Sequence, residues 1–483
     1  ASLGLAVFTA TRVAAGEVAT YFKVGAKAVS GLNPSFSLAL LGAGYLVGIS
    51  VGMAMLLGLL IAWAGAVPVL SALAPAAGLS VPDLAMEIWR DKVRFIGAGT
   101  IGIAAVWTLV KLTKPVVKGI VSTLSAAKAA KEADDTRDLD LSPGWIFAIA
   151  TASMTVIWWL LRDFLAPTPL AGSTSALIAT ALPFIFVGGF LVAAITGYMA
   201  GLIGASNSPI SGVGILAIVI CAALLVWVAA VPEAAKPALV AYALFATAVV
   251  FSIATISNNN LQDLKTGQLV GATPRAQQWA LIIGVIAGAA VIPPVLNLLA
   301  QAYGFAGAPR AATAVAAPLP APQASLIAAL AQGVIEQKLD WAMIGLGAGI
   351  GVLLVLVDEF LGKLKLLRLP PLAVGIGIYL PMSATMPVVI GAVVGYFYDR
   401  WAARTPTPDR AKRLAVLVSS GMIVGESLFG VVLAGLIVGT QSDAPLGLVA
   451  SSFAPAPWIG VAAFAGIVFW LYGWMVHRAK RPL

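Results

Sequence analysis

Long apolar runs, separated by short polar or Pro/Gly-rich stretches, fill the chain from end to end. A bilayer core takes about 20 apolar residues per helix. By that ruler spans fall at residues 35–63, 93–111, 144–161, 175–203, 210–231, 237–257, 276–301, 341–357, 371–398, 413–438 and 455–476. Residues 1–15 read as the end of a further span, and residues 323–337 as a segment too short to cross. The pattern predicts an all-α, polytopic membrane fold with about 11–13 membrane elements. Breakers lie inside several spans: Pro183, the pair Pro293 and Pro294, and Pro381 with Pro387. Such segments are read as kinked or discontinuous helices. The connection over 111–143 mixes six Lys/Arg with five carboxylates and reads as a solvated face. The stretch 302–322, rich in Ala and Pro, reads as an extended linker.

The apolar pattern repeats. GAGYLVGISVGMAMLLGLLIAW, from Gly42, resembles GIGIYLPMSATMPVVIGAVVGYF, from Gly375, with Tyr45-Leu46 on Tyr379-Leu380. GTIGIAAVWTLV, from Gly99, lines up with GMIVGESLFGVV, from Gly421, matching Ile101 to Ile423. Two elements recur in the same order at separations of 334 and 322 residues, as expected of a duplicated transporter fold. On this reading residues 1–165 are the C-terminal part of a first repeat half and 166–483 a complete second half. A parent with two full halves would carry about 16 elements, with ~170 further residues upstream of Ala1.

Composition sharpens the class. Of 483 residues, 60% are hydrophobic and 10% charged, with a mean hydropathy of +0.98, which excludes an ordinary soluble domain. The net charge of +9 sits in connections and in the tail, where it reads as an orientation signal and lipid contact, not as a nucleic-acid surface. The HRAKR tail and the five Lys/Arg from Arg400 to Arg413 favour a cytoplasmic C-terminus. The loop with Lys363, Lys365 and Arg368 asks for the same side, one span away. A re-entrant hairpin over 371–398 would reconcile the two. The single cysteine, Cys221, lies in an apolar run and reads as packing, and the one histidine, His477, belongs to the tail.

Four stretches carry candidate chemistry. In NSPISG, Pro209 restricts Ser208 and ends any preceding helix near Asn207, so that a new helix can start there. Asn207, Ser208 and Ser211 are therefore either a surface turn or a helix break that aims backbone amides at a substrate carboxylate or carbonyl. In ATISNNNLQDLKTGQLVGATPRAQQ, Asn259, Asp263 and Lys265 abut a span. They read either as ligands for a zwitterion or as a structured cytoplasmic loop whose charges neutralise one another. Glu426 lies inside the apolar SSGMIVGESLFGVVLAG, and an intramembrane carboxylate is costly enough to be a functional hypothesis by default. It reads as a proton carrier or as a permanently protonated hydrogen-bonding group, and its repeat mate is Ala104. Tyr379, beside a broken helix, reads as a ligand donor or as packing.

The stretches NSPISGVGI, NNNLQDLKTGQLVGATPRAQQ, GIGIYLP and SSGMIVGESLFG resemble the oligopeptide transporter family, in particular its prokaryotic branch related to yellow-stripe-like metal-chelate transporters. The resemblance runs over nearly the whole chain, with the family's N-terminal spans missing. It implies about 16 helices and proton-driven import of small peptides or metal chelates across a bacterial cytoplasmic membrane, with no cofactor beyond the proton gradient. The NPG and KIPPR motifs of the fungal and plant peptide branch do not occur here, so the substrate class stays open. Partners implied are a small peptide or metal chelate, the lipid bilayer and a homo-oligomeric copy. Other classes fare worse or stay open. An intramembrane serine protease lacks its histidine, and an aspartyl one lacks a GxGD motif, with Asp163 and Asp358 both reading as interfacial. A channel or a non-transporting receptor shares the same features.

Overall fold

The computed structural model describes residues 1–25, 27–73, 78–108, 110–111, 139–203, 210–229, 231–305, 308–309, 311–319, 322–336 and 340–480. Among the described residues the fold is helical apart from one hairpin, β1 (Thr20–Val24) paired antiparallel with β2 (Ala28–Leu32). Among the described residues, eight helices are long and apolar enough to cross a membrane. In chain order they are α2 (Leu38–Leu73), α5 (Pro143–Leu165), α6 (Ala171–Gly201), α8 (Glu233–Val270), α9 (Pro274–Ala302), α11 (Trp341–Lys363), α14 (Pro408–Thr440) and α15 (Ala456–Lys480). Between them lie α1 (Ser2–Ala10), α3 (Val81–Ile88), α4 (residues 94–108), α7 (Ile210–Val228), α10 (Pro322–Glu336), α12 (Pro371–Tyr379) and α13 (Met382–Ala402). The connection at 112–138 lies outside the described residues.

The chain folds as two compact units, Ala1–Ile101 with Pro293–Pro322 and Asp340–Leu483, and Gly102–Ile292 with Gln323–Leu339. The first is built around two broken helices. Helix α2 breaks at Gly48, whose φ of 80° and ψ of 172° only glycine adopts without strain. The segment 371–402 breaks at Leu380 and Pro381, both extended, between α12 and α13. The repeat separation of 334 takes Gly48 to Met382, so the two breaks coincide in the duplicated pattern.

The packing repeats as well. The part of α2 before its break meets α13: an added Cβ at Gly44 would lie 2.1 Å from the Val388 carbonyl oxygen, and one at Gly391 2.0 Å from that of Leu41. The part after the break meets α12: a Cβ at Gly58 would lie 2.2 Å from the Val374 oxygen, and one at Gly377 2.3 Å from that of Met55. Gly44 and Gly58 map to within one residue of Gly377 and Gly391, so the two crossings are repeat mates. A second pair agrees: Gly97 on α4 lies against the Tyr379 backbone, and Gly42 on α2 against the Ser419 carbonyl. Small residues let backbones approach where no hydrophobic force holds helices together in lipid.

In the second unit, α8 packs on α6 through backbone-seeking hydroxyls. Thr196 Oγ1 donates to the Ala254 carbonyl at 3.1 Å, and Ser257 Oγ to that of Ala193 at 2.8 Å. Cys221 is buried on α7, with its thiol 3.9 Å from the Ala243 carbonyl. Pro183 is followed by a π turn at Phe184–Gly188. By contrast, α9 runs unbroken through Pro293 and Pro294, although an interior proline removes a backbone hydrogen bond and crowds the preceding turn. Ile283, Ile286, Val291 and Ile292 of α9 are exposed, a surface suited to acyl chains.

Candidate functional site

The α2 N-terminus and the α12–α13 break carry the polar chemistry of the first unit. Ser37 is the N-cap of α2, with Oγ accepting from the Leu40 N–H at 3.1 Å. Its hydroxyl donates to Glu426 Oε1 at 2.6 Å, while the Ala39 N–H donates to Glu426 Oε2 at 2.9 Å. Glu426, half-buried on α14, thus uses both oxygens to hold the first turn of a broken helix, where backbone amides and dipole favour a negative group.

At the other break, Tyr379 closes α12 and is buried. Its hydroxyl accepts from Arg94 Nη2, and the guanidinium lies 4.5 Å from the Tyr379 ring centroid and 5.4 Å from that of Trp89. Trp89 donates from Nε1 to the Ile378 carbonyl at 3.4 Å and stacks on Trp63 at 6.2 Å. The repeat mate Tyr45 donates to Asp399 at 2.9 Å, so the two tyrosines meet opposite charges. Outside the spans, the ammonium of Lys92 at 2.7 Å holds the Asp340 carboxyl below the usual carboxylate range.

The remaining sequence-derived residues belong to the second unit. Asn207 and Ser208 lie outside the described residues, and Ser211 falls in the first turn of α7, which begins at Ile210. Asn259 and Asp263 are exposed on α8. Their segment is not a loop: α8 continues through NNNLQDLK to Val270 and stops at Gly271, whose φ is 74°. Leu, Gln and Lys are good helix formers, so the polarity there marks a surface and not a coil. Asp263 and Lys265 do not neutralise one another, because positions two apart face apart on a helix, and Lys265 bonds Gln268 at 2.8 Å. Glu426 and Tyr379 share no hydrogen-bonding partner among those described. Sequence reasoning missed Arg94 and Ser37. The available signals were a cation at the first helical turn of a span and a serine directly preceding one.

The family profile described as "OPT oligopeptide transporter protein" matches residues 3–437. The chain belongs to the oligopeptide transporter family. It is 44% identical over 490 aligned residues to the "Putative oligopeptide transporter" of Haemophilus influenzae, covering 97% of this chain and 77% of that protein. It is 27% identical to the "Probable metal-nicotianamine transporter YSL8" of Arabidopsis thaliana over 192 residues, 38% of this chain and 25% of that one. It is 31% identical to the "Putative oligopeptide transporter YGL114W" of Saccharomyces cerevisiae over 176 residues, 36% of this chain and 23% of that one. Family and helices together make it a multi-pass membrane protein.

Proposed function

We propose that this protein is a proton-coupled symporter that imports oligopeptides or peptide-like metal chelates across the bacterial cytoplasmic membrane, with its C-terminus in the cytoplasm. Support for the substrate class comes from the names of its relatives, which include an oligopeptide and a metal-nicotianamine transporter. The observation that carries the coupling is the grip of Glu426 on the first turn of α2. Protonation removes the charge that the Ala39 N–H and the Ser37 hydroxyl bond to, and loosens the half-helix before the Gly48 break. A proton and the position of a broken helix then bias one another. Tyr379 lies beside the substrate path. Asn207, Ser208, Ser211, Asn259 and Asp263 are the polar groups of the second unit proposed to meet substrate.

Proteoliposomes with an imposed pH gradient, offered a panel of peptides and of iron and nickel chelates, test the reading. Wild-type protein is expected to concentrate at least one class, and only with the gradient. In Glu426→Gln, gradient-driven uptake is expected to disappear while substrate exchange at equal pH persists. Uptake that still follows the gradient in this variant rules Glu426 out as the carrier.

A further inference from the structure

Arg94 brings a guanidinium against the α12–α13 break, on the Tyr379 that closes α12. Its repeat mate is Val416, so the shared packing does not call for a charge there. Among the described residues, none of the ion pairs includes it. Arg368 shows what such a guanidinium does with a carboxylate in this protein: its Nε and Nη2 grip the two oxygens of Asp358 side by side. On Arg94 the same edge is half used. Nη2 donates to the Tyr379 hydroxyl, whereas Nε is buried and has no hydrogen-bond partner. Two further buried polar atoms near this break are also without partners. One is Nε1 of Trp63, a residue only 5% exposed that stacks on Trp89 beneath Arg94. The other is Oδ1 of Asn33, whose backbone N–H reaches the Met382 sulfur just past the break. A buried donor left without an acceptor is a standing cost, and an ionisable group inside a membrane protein is kept for a task.

We propose that Arg94 is the anchor for a carboxylate of the transported molecule, taken on the Nε edge at the α12–α13 break, over the faces of Trp89 and Tyr379. The inference rests on the transport reading above and narrows it: both substrate classes are recognised through a free carboxylate, that of a peptide C-terminus or of a chelator, and not through the metal. The aromatic floor holds the guanidinium plane in place before the ligand arrives, so less side-chain entropy is lost on binding. Because Nε is buried, the carboxylate enters only when the break opens.

The test reads discrimination between a free carboxylate and its amide. The probes are trialanine, trialanine amide, and the nickel chelates of Gly-Gly-His and of its C-terminal amide, in which nickel is held by four nitrogens and the C-terminus stays off the metal. Each is followed by uptake into proteoliposomes and by the shift in unfolding temperature of the purified protein in detergent. Wild-type protein is expected to favour the acids by about tenfold or more in KM or Kd, the scale of one charge-assisted hydrogen bond. In Arg94→Gln the preference for acid over amide is expected to fall to about one, whatever the variant does to uptake as a whole. Arg94→Lys, which keeps the charge but lacks the two-donor edge, is expected to fall between. An acid preference that survives in Arg94→Gln overturns the anchor and leaves the transport reading standing. Uptake of no probe by wild-type protein counts against the transport reading, and the unfolding-temperature shifts then decide the anchor separately. A wild-type protein that treats acid and amide alike overturns the anchor, whether or not the variants fold.

Discussion

Substitution of Gly58 by alanine tests the crossing of the two broken helices. The new Cβ would lie 2.2 Å from the Val374 carbonyl oxygen and 2.8 Å from the Gly377 Cα, against an ordinary contact of at least 3.4 Å. Neither neighbour is the end of a flexible side chain, so the two backbones must part by roughly 1 Å. Val374 and Ile378, both fully buried at this contact, would lose packing with them. Overpacking of this kind costs about 1–3 kcal/mol. Replacing a helical glycine by alanine returns about 0.8–1.0 kcal/mol, which masks part of the loss. Gly421 supplies the control, since it lies inside α14 with nothing within 4 Å of an added Cβ. The propensity gain is common to both variants, so Gly58→Ala should be less stable than Gly421→Ala by the overpacking alone, about 1–3 kcal/mol. Unfolding in detergent, followed by tryptophan fluorescence and circular dichroism, measures the difference. The repeat mate Gly391→Ala should lose a similar amount. Equal stability of Gly58→Ala and Gly421→Ala would refute the close-crossing argument.

Three other outcomes are expected. Asp340 caps α11 and pairs with Lys92, which lowers its carboxyl. Its contribution is present above the unfolded carboxylate range and is lost as pH falls through the lowered value. Asp340→Asn keeps the cap, so its deficit of under about 1 kcal/mol at neutral pH should vanish in acid, read from denaturation midpoints between pH 3 and 7. Gly271→Ala, forced into the left-handed region that ends α8, should cost about 1 kcal/mol and fray the last turn, visible as faster amide exchange before Val270. Arg368→Leu strands Asp358, which is 7% exposed and also accepts from the Leu369 N–H at 2.9 Å. The expected loss is about 2 kcal/mol, below the usual range for a buried pair because Arg368 is half exposed, and Asp358→Asn in the same chain should recover part of it.

Hydropathy is a local property, and bilayer thickness turns it directly into helices. The sequence by itself therefore determined the membrane class, most of the spans, the duplication of the segments at Gly42 and Gly375, and the family resemblance that the profile match bears out. It also marked the break at Pro381, but no more strongly than Pro293, Pro294 and Pro387, which α9 and α13 carry without interruption. The break at Gly48 was silent: it sits in apolar VGISVG, and a positive φ is paid for by partners hundreds of residues away. Likewise the hairpin of β1 and β2 follows from no alternation strong enough to see, and Gly31 is needed because the Tyr21 and Trp63 rings lie over it. Polarity in NNNLQDLK marked a surface correctly and a loop wrongly, since composition fixes solvent contact but helix propensity and the Gly271 cap fix the backbone. Only the tertiary structure decided the chemistry. Glu426 was legible as an isolated carboxylate, yet its partners Ser37 and Ala39 are 389 and 387 residues distant, and Arg94 meets Tyr379 across 285. Such pairings depend on how two broken helices cross, and a crossing is set by the fit of whole surfaces, which no single stretch of sequence contains.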